Sequence, residues 1–288
     1  MQSKNLFLFA LLIWFSGELF AQKKVLFFQT DWGNQLPIEE FLAKAKADGY
    51  DGIEVWMPGD QEAKDRLKAG LEKYDLKVIF LHGTNKGLPF SESLKAYESG
   101  LEEILVWNPV KVNSHTGSDF WTIEQNLAFL KTGEKIAKKV GIPLLHETHR
   151  ARFSYSLPAA LAMLDRFKEL KYTLDVSHWM VVHERLISKT DPFLQKILPT
   201  VEHIHARVGF AEGPQVNNPA APEWTQAVNI HLDIWEEIIR NSPDDVFTVT
   251  TEFGPPPYLP TVPFTNEPIA DQWAANVWIM NALKERLN

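Results

Sequence analysis

The chain contains no cysteine. That excludes disulfide bonds, thiolate metal ligands and a lipid anchor attached through cysteine. Basic residues are in deficit: 29 Lys and Arg against 37 Asp and Glu give a net charge of −8. General nucleic-acid binding rests on clustered positive charge, so that partner class is disfavoured. A long apolar run is missing too. Leu6–Phe15 is unbroken, but Ser16, Gly17 and Glu18 cut it short of the roughly 20 residues that a spanning helix needs. No Gly-rich phosphate cradle follows the first candidate strand, because Thr30-Asp31-Trp32-Gly33-Asn34 holds a single Gly. This argues against an open doubly wound dinucleotide-binding sheet.

The N-terminus has the layout of an export signal: Lys4, the apolar run, then Leu19-Phe20-Ala21 before Gln22. Residues 1–21 are therefore expected to be removed, leaving 22–288 as a single domain that is secreted or periplasmic, with no stable membrane anchor after cleavage. Without disulfides, stability in that compartment must come from a large buried core. The composition, 45% hydrophobic and 23% charged, supplies one.

Short apolar runs alternate with longer amphipathic stretches. Eight candidate strands stand out: Lys24–Gln29, Gly52–Trp56, Lys77–Leu81, Val110–Ser114, Pro143–Glu147, Tyr172–Val176, Val201–Ala206 and Val246–Glu252. Helical patterns run over Pro37–Ala47, Ser91–Val106, Thr122–Val140, Leu157–Leu170, Phe193–Leu198, Trp224–Ile239 and Ile269–Leu287. Thr122 and Gln125 stand at capping-box spacing, and Gly141-Ile142-Pro143 stops that helix. Repeated β-then-α units over 288 residues predict the α/β class and a single (β/α)8 TIM barrel.

A barrel carries its chemistry at the C-terminal ends of its strands. There the sequence places Glu54 and Trp56, His82, His115, Glu147 and His149, Asp175 and His178, the trio His203, His205 and Arg207, and Glu252. Alternate residues of a strand share a face. Glu147, Asp175, one histidine of the seventh strand and Glu252 can then converge from successive strands. Three carboxylates and an imidazole suit one divalent ion, Mn²⁺, Mg²⁺, Co²⁺ or Zn²⁺. Trp32, Trp56, Trp121 and Trp179 at the rim offer flat faces to a sugar ring.

The runs Gly49-Tyr50-Asp51-Gly52-Ile53-Glu54-Val55-Trp56, Leu174-Asp175-Val176-Ser177-His178, His203-Ile204-His205-Ala206-Arg207 and Thr251-Glu252-Phe253 carry a family likeness. Together they resemble the xylose-isomerase-like sugar isomerase/epimerase superfamily over essentially the whole mature chain. The resemblance implies metal ligation by Glu147, Asp175, His205 and Glu252. It also implies Glu147 and Glu252 as the proton-transferring pair, and a substrate contact at His178. Arg207 stands near a substrate-binding arginine, with a shorter spacing after His205 than in the epimerases. His115, His149 and Trp56 complete the expected substrate-binding set.

The reaction expected on this basis is proton transfer next to a carbonyl. Export points to an unphosphorylated sugar or keto-sugar, a small-molecule carbohydrate partner and no nucleic acid; a homo-oligomer is left open. Three alternatives stay beside it: a lyase cleaving 3-keto-glycosides by β-elimination, an endonuclease IV-like nuclease, and a non-catalytic sugar-binding protein. The nuclease would draw on His82, His115, Glu147, Asp175, His178, His205 and Glu252, but Val208–Pro214 lacks its Asp-x-His pair.

Overall fold

The computed structural model describes residues 23–288, so the expected export signal and its cleavage point lie outside the described residues. Eight parallel strands close into a barrel in chain order: β1 Lys24–Thr30, β2 Gly52–Trp56, β3 Lys77–Gly83, β4 Lys111–His115, β5 Leu144–Glu147, β6 Tyr172–Leu174, β7 Val201–Ala206 and β8 Val246–Thr251. The β1–β8 seam pairs Lys24 with Val246 through to Gln29 with Thr251.

Period-two alternation sorts the strand residues into two environments. Leu26, Phe28 and Ile79 form a small apolar plug inside the barrel. Phe27, Ile53, Val55, Phe80 and Val112 instead join the main core between strands and helices. Above the plug the inward positions turn polar, with Glu54, Asn113, Glu147, His203, His205, Thr248 and Thr250 all buried.

The outer layer comprises α1 Ile38–Ala47, α2 Gln61–Tyr74, α3 Phe90–Leu105, α4 Ile123–Val140, α5 Leu157–Arg166, α6 Val176–Val182, α7 Leu194–Ile197, α8 Thr225–Asn241 and α9 Gln272–Leu287. The expected capping box opens α4: Gln125 N donates to Thr122 Oγ1 at 3.2 Å and Thr122 N to Gln125 Oε1 at 3.0 Å. No helical pattern was expected between β2 and β3, yet α2 fills that place. Its sequence is mostly polar and buries only Leu67, Gly70 and Leu71, too thin a stripe to stand out. Gly70 permits the close approach of α1, since a Cβ there would lie 2.3 Å from Leu42 Cδ1.

Five strands end elsewhere than expected. β1 runs on to Thr30, β3 to Gly83 and β4 to His115, whereas β6 stops at Leu174 and β8 at Thr251. Asp175 ends β6 because its carboxylate accepts from Ser177 N at 3.0 Å and caps α6. His178 therefore projects from a helix rather than from an extended strand. Among the described residues, no helix is long and apolar enough to cross a membrane.

Phe129 of α4 is fully buried, packing on Phe90, Tyr97 and the face of Trp121. Phe129→Ala is expected to cost about 3–5 kcal/mol through lost burial and a residual cavity. Denaturant titration checks this; a loss under 1 kcal/mol would mean that the helical layer collapses around the gap.

Candidate metal centre

Ligand atoms of Glu147, Asp175, His205 and Glu252 lie within 4.8 Å of one another, and all four side chains are buried. They come from the end of β5, the β6–α6 junction, β7 and the residue after β8. The barrel closure thus brings together the set that the family resemblance implies. His203, the other candidate histidine, faces the same interior one layer lower. Its Nδ1 lies 2.7 Å from Thr248 Oγ1, and its Nε2 lies 3.1 Å from Thr250 Oγ1 and 3.3 Å from Glu54 Oε2.

The donor atoms fit a divalent cation. Glu147 Oε1, His205 Nδ1 and Glu252 Oε2 are buried without a hydrogen-bond partner. His205 Nδ1 and Glu252 Oε2 are only 3.0 Å apart, but their alignment makes no hydrogen bond. Ligand bonds of about 2.0–2.2 Å place neighbouring donors of one ion about 3 Å apart, as here. Unsatisfied buried polar atoms are costly, so three that converge on one point fit a shared ion.

The other faces of these ligands are occupied. Glu147 Oε2 accepts from His115 Nε2 at 2.7 Å and from Asn113 Nδ2 at 3.0 Å. Asp175 Oδ1 accepts from Ser177 Oγ at 2.5 Å, and Arg207 Nη2 donates to Oδ2. His205 Nε2 sits 3.0 and 3.1 Å from the two oxygens of Glu54. A donor N–H on Nε2 leaves the Nδ1 lone pair for a cation, the arrangement that orients a ligating imidazole.

Electrostatics point the same way. Burial opposes charge on His205, but Glu252, Glu54 and Glu147 outweigh it and push its pKa well above the usual range. The same negative field favours a metal cation. Burial would raise the Glu147 pKa, yet the His115 and His205 imidazoles hold it well below the ordinary carboxylate value. At Asp175 burial prevails and lifts the pKa to about 7 despite Arg207. Arg207 is the one guanidinium among the buried carboxylates of Glu54, Glu147, Asp175 and Glu252, so one permanent positive charge faces four acids.

Over this cluster opens a cavity of about 140 Å³, lined in part by Thr30, Trp32, Trp56, His115, His149, Arg207, Glu252 and Tyr258. Most of the residues expected to contact substrate therefore share one pocket. His149 keeps Nδ1 on the Arg150 carbonyl, which leaves Nε2 as a lone-pair acceptor. Burial pulls its pKa down to about 3, so it stands neutral. Arg207 donates from Nε to Ser177 Oγ at 3.2 Å and from Nη2 to His178 Nε2 at 2.9 Å. His178 is fully buried behind His149, with ring centroids 4.0 Å apart, and does not line the pocket.

The four tryptophans separate. Trp32 and Trp56 line the pocket. Trp121 stacks on Phe129 at 5.2 Å, and Trp179 is buried with Nε1 donating to Ser154 O at 2.8 Å. Those two are packing residues. His82 faces the helical layer, its Nε2 2.8 Å from Tyr97 O, and burial takes its pKa to about 4. His82 therefore stands apart from the residues that the nuclease alternative would draw on.

Sequence reasoning did not single out Asn113 or Tyr258, and it gave Glu54 no chemical role. Asn113 shares the inward face of β4 with His115, so the period-two rule reaches it. Tyr258 comes from the Pro-rich loop after β8. Only packing reveals it, with its ring 4.8 Å from Trp32 and 4.8 Å from the Arg207 guanidinium.

The fold and site define a (β/α)8 barrel with a buried carboxylate–imidazole cluster suited to a divalent cation at its C-terminal mouth. The chain belongs to the xylose isomerase-like TIM barrel family, whose model matches residues 42–208, more than half of its length. No curated protein sequence matches it. Among solved structures it is similar to a xylose isomerase-like TIM barrel protein from Mycobacterium smegmatis in complex with magnesium. That pair is 12% identical over 91% of this chain and 98% of the other, with a TM-score of 0.64. The Escherichia coli 3-keto-D-glucoside 4-epimerase is 15% identical over 91% and 100%, with a TM-score of 0.61. The probable 3-DHS dehydratase of Bacillus anthracis is 16% identical over 91% and 98%, with a TM-score of 0.59. Likeness at these identities establishes the shared barrel.

Proposed function

We propose that this chain is a divalent-metal-dependent isomerase or epimerase that moves a proton next to the carbonyl of an unphosphorylated sugar or keto-sugar. The observation that carries the reading is the convergence of unpartnered Glu147, His205 and Glu252 donor atoms beneath a small pocket lined by aromatic, imidazole and charged side chains. A magnesium complex in the Mycobacterium smegmatis protein and a keto-glucoside substrate for the Escherichia coli enzyme support it.

Glu147, Asp175, His205 and Glu252 would hold the cation. When bound, it supplies electrophilic stabilisation of the negative charge that develops on a carbonyl oxygen. Glu252 lines the pocket and takes the proton from carbon on its side of the substrate. Glu147, at the end of β5, would return one to the other face. His115 and Asn113 hold the second Glu147 oxygen, which fixes the direction of the first. Arg207 donates to Asp175 and braces His178 behind His149. Neutral His149 accepts a hydrogen bond from a substrate hydroxyl, and the Trp32 and Trp56 faces cover the apolar side of the sugar ring.

A second reading uses the same proton abstraction. In a 3-keto-glycoside, loss of the proton at C2 followed by cleavage of the C1–O bond forms an enone, and the departing oxygen takes up a proton. The dehydratase relative from Bacillus anthracis favours this elimination chemistry on the shared barrel. The expected protein is secreted or periplasmic, with a small-molecule carbohydrate as partner and no nucleic acid.

The test is solvent-deuterium incorporation into a panel of keto-sugars by the mature chain, followed by NMR before and after chelation. Exchange lost on chelation and regained with Mn²⁺, Co²⁺, Mg²⁺ or Zn²⁺ is expected; release of an aglycone shifts the reading to the lyase. Exchange indifferent to chelation, or none across the panel, overturns both.

A further inference from the structure

The 140 Å³ pocket above the metal centre has a larger neighbour, a groove of about 510 Å³ between α1 and α2 at the same end of the barrel. Trp56 lines both cavities, and the residue is 49% exposed. The β1 end is shared as well: Thr30 and Trp32 wall the inner pocket, while Asp31 between them lines the groove. The two spaces are therefore adjacent across the ends of β1 and β2.

The groove is chemically unlike the pocket. Pro37, Ile38, Val55, Trp56, Pro58 and Leu67 make its walls largely apolar, with several flat or rigid surfaces. Its polar groups are mostly acidic, namely Asp31, Glu39 and Glu40. Its one basic residue, Arg66, is already paired with Glu62 at 2.6 Å. A phosphate or carboxylate ligand finds no free cation there, and an unsubstituted second sugar finds too few polar partners. A neutral, flat apolar group fits.

We infer that this groove is a second subsite, which holds the aryl aglycone of a glycoside whose sugar ring lies over the metal centre. The inference rests on the carbohydrate reading above and narrows its substrate class to aryl glycosides. Trp56 then serves both halves of the ligand, the sugar on one side and the aglycone on the other.

The probes are phenyl and methyl 3-keto-β-D-glucosides, presented to the Mn²⁺-loaded mature chain. Affinity is read as KM where turnover occurs and as a calorimetric Kd where it does not. Ala63 lines the groove from α2 and touches none of the metal ligands. Ala63→Trp fills the groove, and Ala63→Ser is the control. Burial of one ring is expected to make the phenyl glycoside bind about tenfold more tightly than the methyl glycoside. Ala63→Trp removes that preference without weakening the methyl glycoside, and Ala63→Ser retains it. Equal affinities, no binding, or a preference that survives Ala63→Trp overturns the inference. Preferential, Ala63-sensitive binding without turnover supports the groove and sinks the catalytic reading. Turnover of both probes with equal KM does the reverse.

Discussion

Glu252→Gln is expected to slow proton exchange from a keto-sugar by about 10²–10⁴-fold, the usual contribution of a positioned base. Glutamine preserves the volume and one potential ligand oxygen but cannot accept a proton. Glu252 is the one carboxylate of the four-residue cluster that lines the pocket. Its Oε2 is unpartnered, while Arg207 Nη2 stands 3.6 Å away. The check is deuterium incorporation measured at matched metal occupancy, with circular dichroism to confirm folding. A rate within a few fold of wild type assigns proton transfer to another group, and His149 Nε2 then becomes the leading base. Glu147→Gln should be as slow but should also lose metal, because the proposed site uses its unpartnered Oε1 while Oε2 is tied to His115 and Asn113.

Glu54→Gln is expected to weaken metal binding by about 10–100-fold while leaving the barrel folded, the usual consequence of altering the partner of a ligating histidine. Both Glu54 oxygens reach His205 Nε2. They also collect Asn113 Nδ2, His203 Nε2 and the Thr250 hydroxyl. These imidazole contacts outweigh the effect of burial and lower the Glu54 pKa, so the group is an anion that accepts from His205. An anion there holds the proton on Nε2 and keeps Nδ1 directed at Glu147 and Glu252. A glutamine presents an amide N–H as readily as its oxygen, and the preference for that tautomer falls. Competition against a chromophoric chelator measures the affinity, and the visible spectrum of the Co²⁺ form reports the ligand geometry. Unchanged affinity and spectrum would reduce Glu54 to a packing partner; rescue by Glu54→Asp would tie the effect to the carboxylate.

The clustered carboxylates and histidine were legible because each sits at or next to a strand end, where a polar residue interrupts an apolar run. Asp175 and Glu252 kept that legibility although β6 and β8 stop one residue before them. The direction of approach at the barrel mouth tolerates a small error in strand length. His178 did not benefit. It lies on the helix that Asp175 caps, and that capping bond turns it behind His149, away from the pocket. The polar helix α2 escaped notice for a different reason, since its buried stripe is thin and most of its surface meets water.

The sequence alone pointed to the barrel: eight apolar runs separated by amphipathic stretches call for a parallel sheet covered on both sides, and the loop after the first run lacks the Gly-rich cradle of the open form. It also determined which carboxylates and histidines stand at the mouth. Tertiary structure decided the choice of His205 over His203 as the member of the cluster and the nitrogen that faces it. It also decided the assignment of Trp32 and Trp56 to the pocket and of Trp121 and Trp179 to the core. Those outcomes depend on which side chains meet across the barrel axis, a matter of register and closure between strands far apart in the chain. Period two places a residue on a face, but only the assembled barrel says what stands opposite.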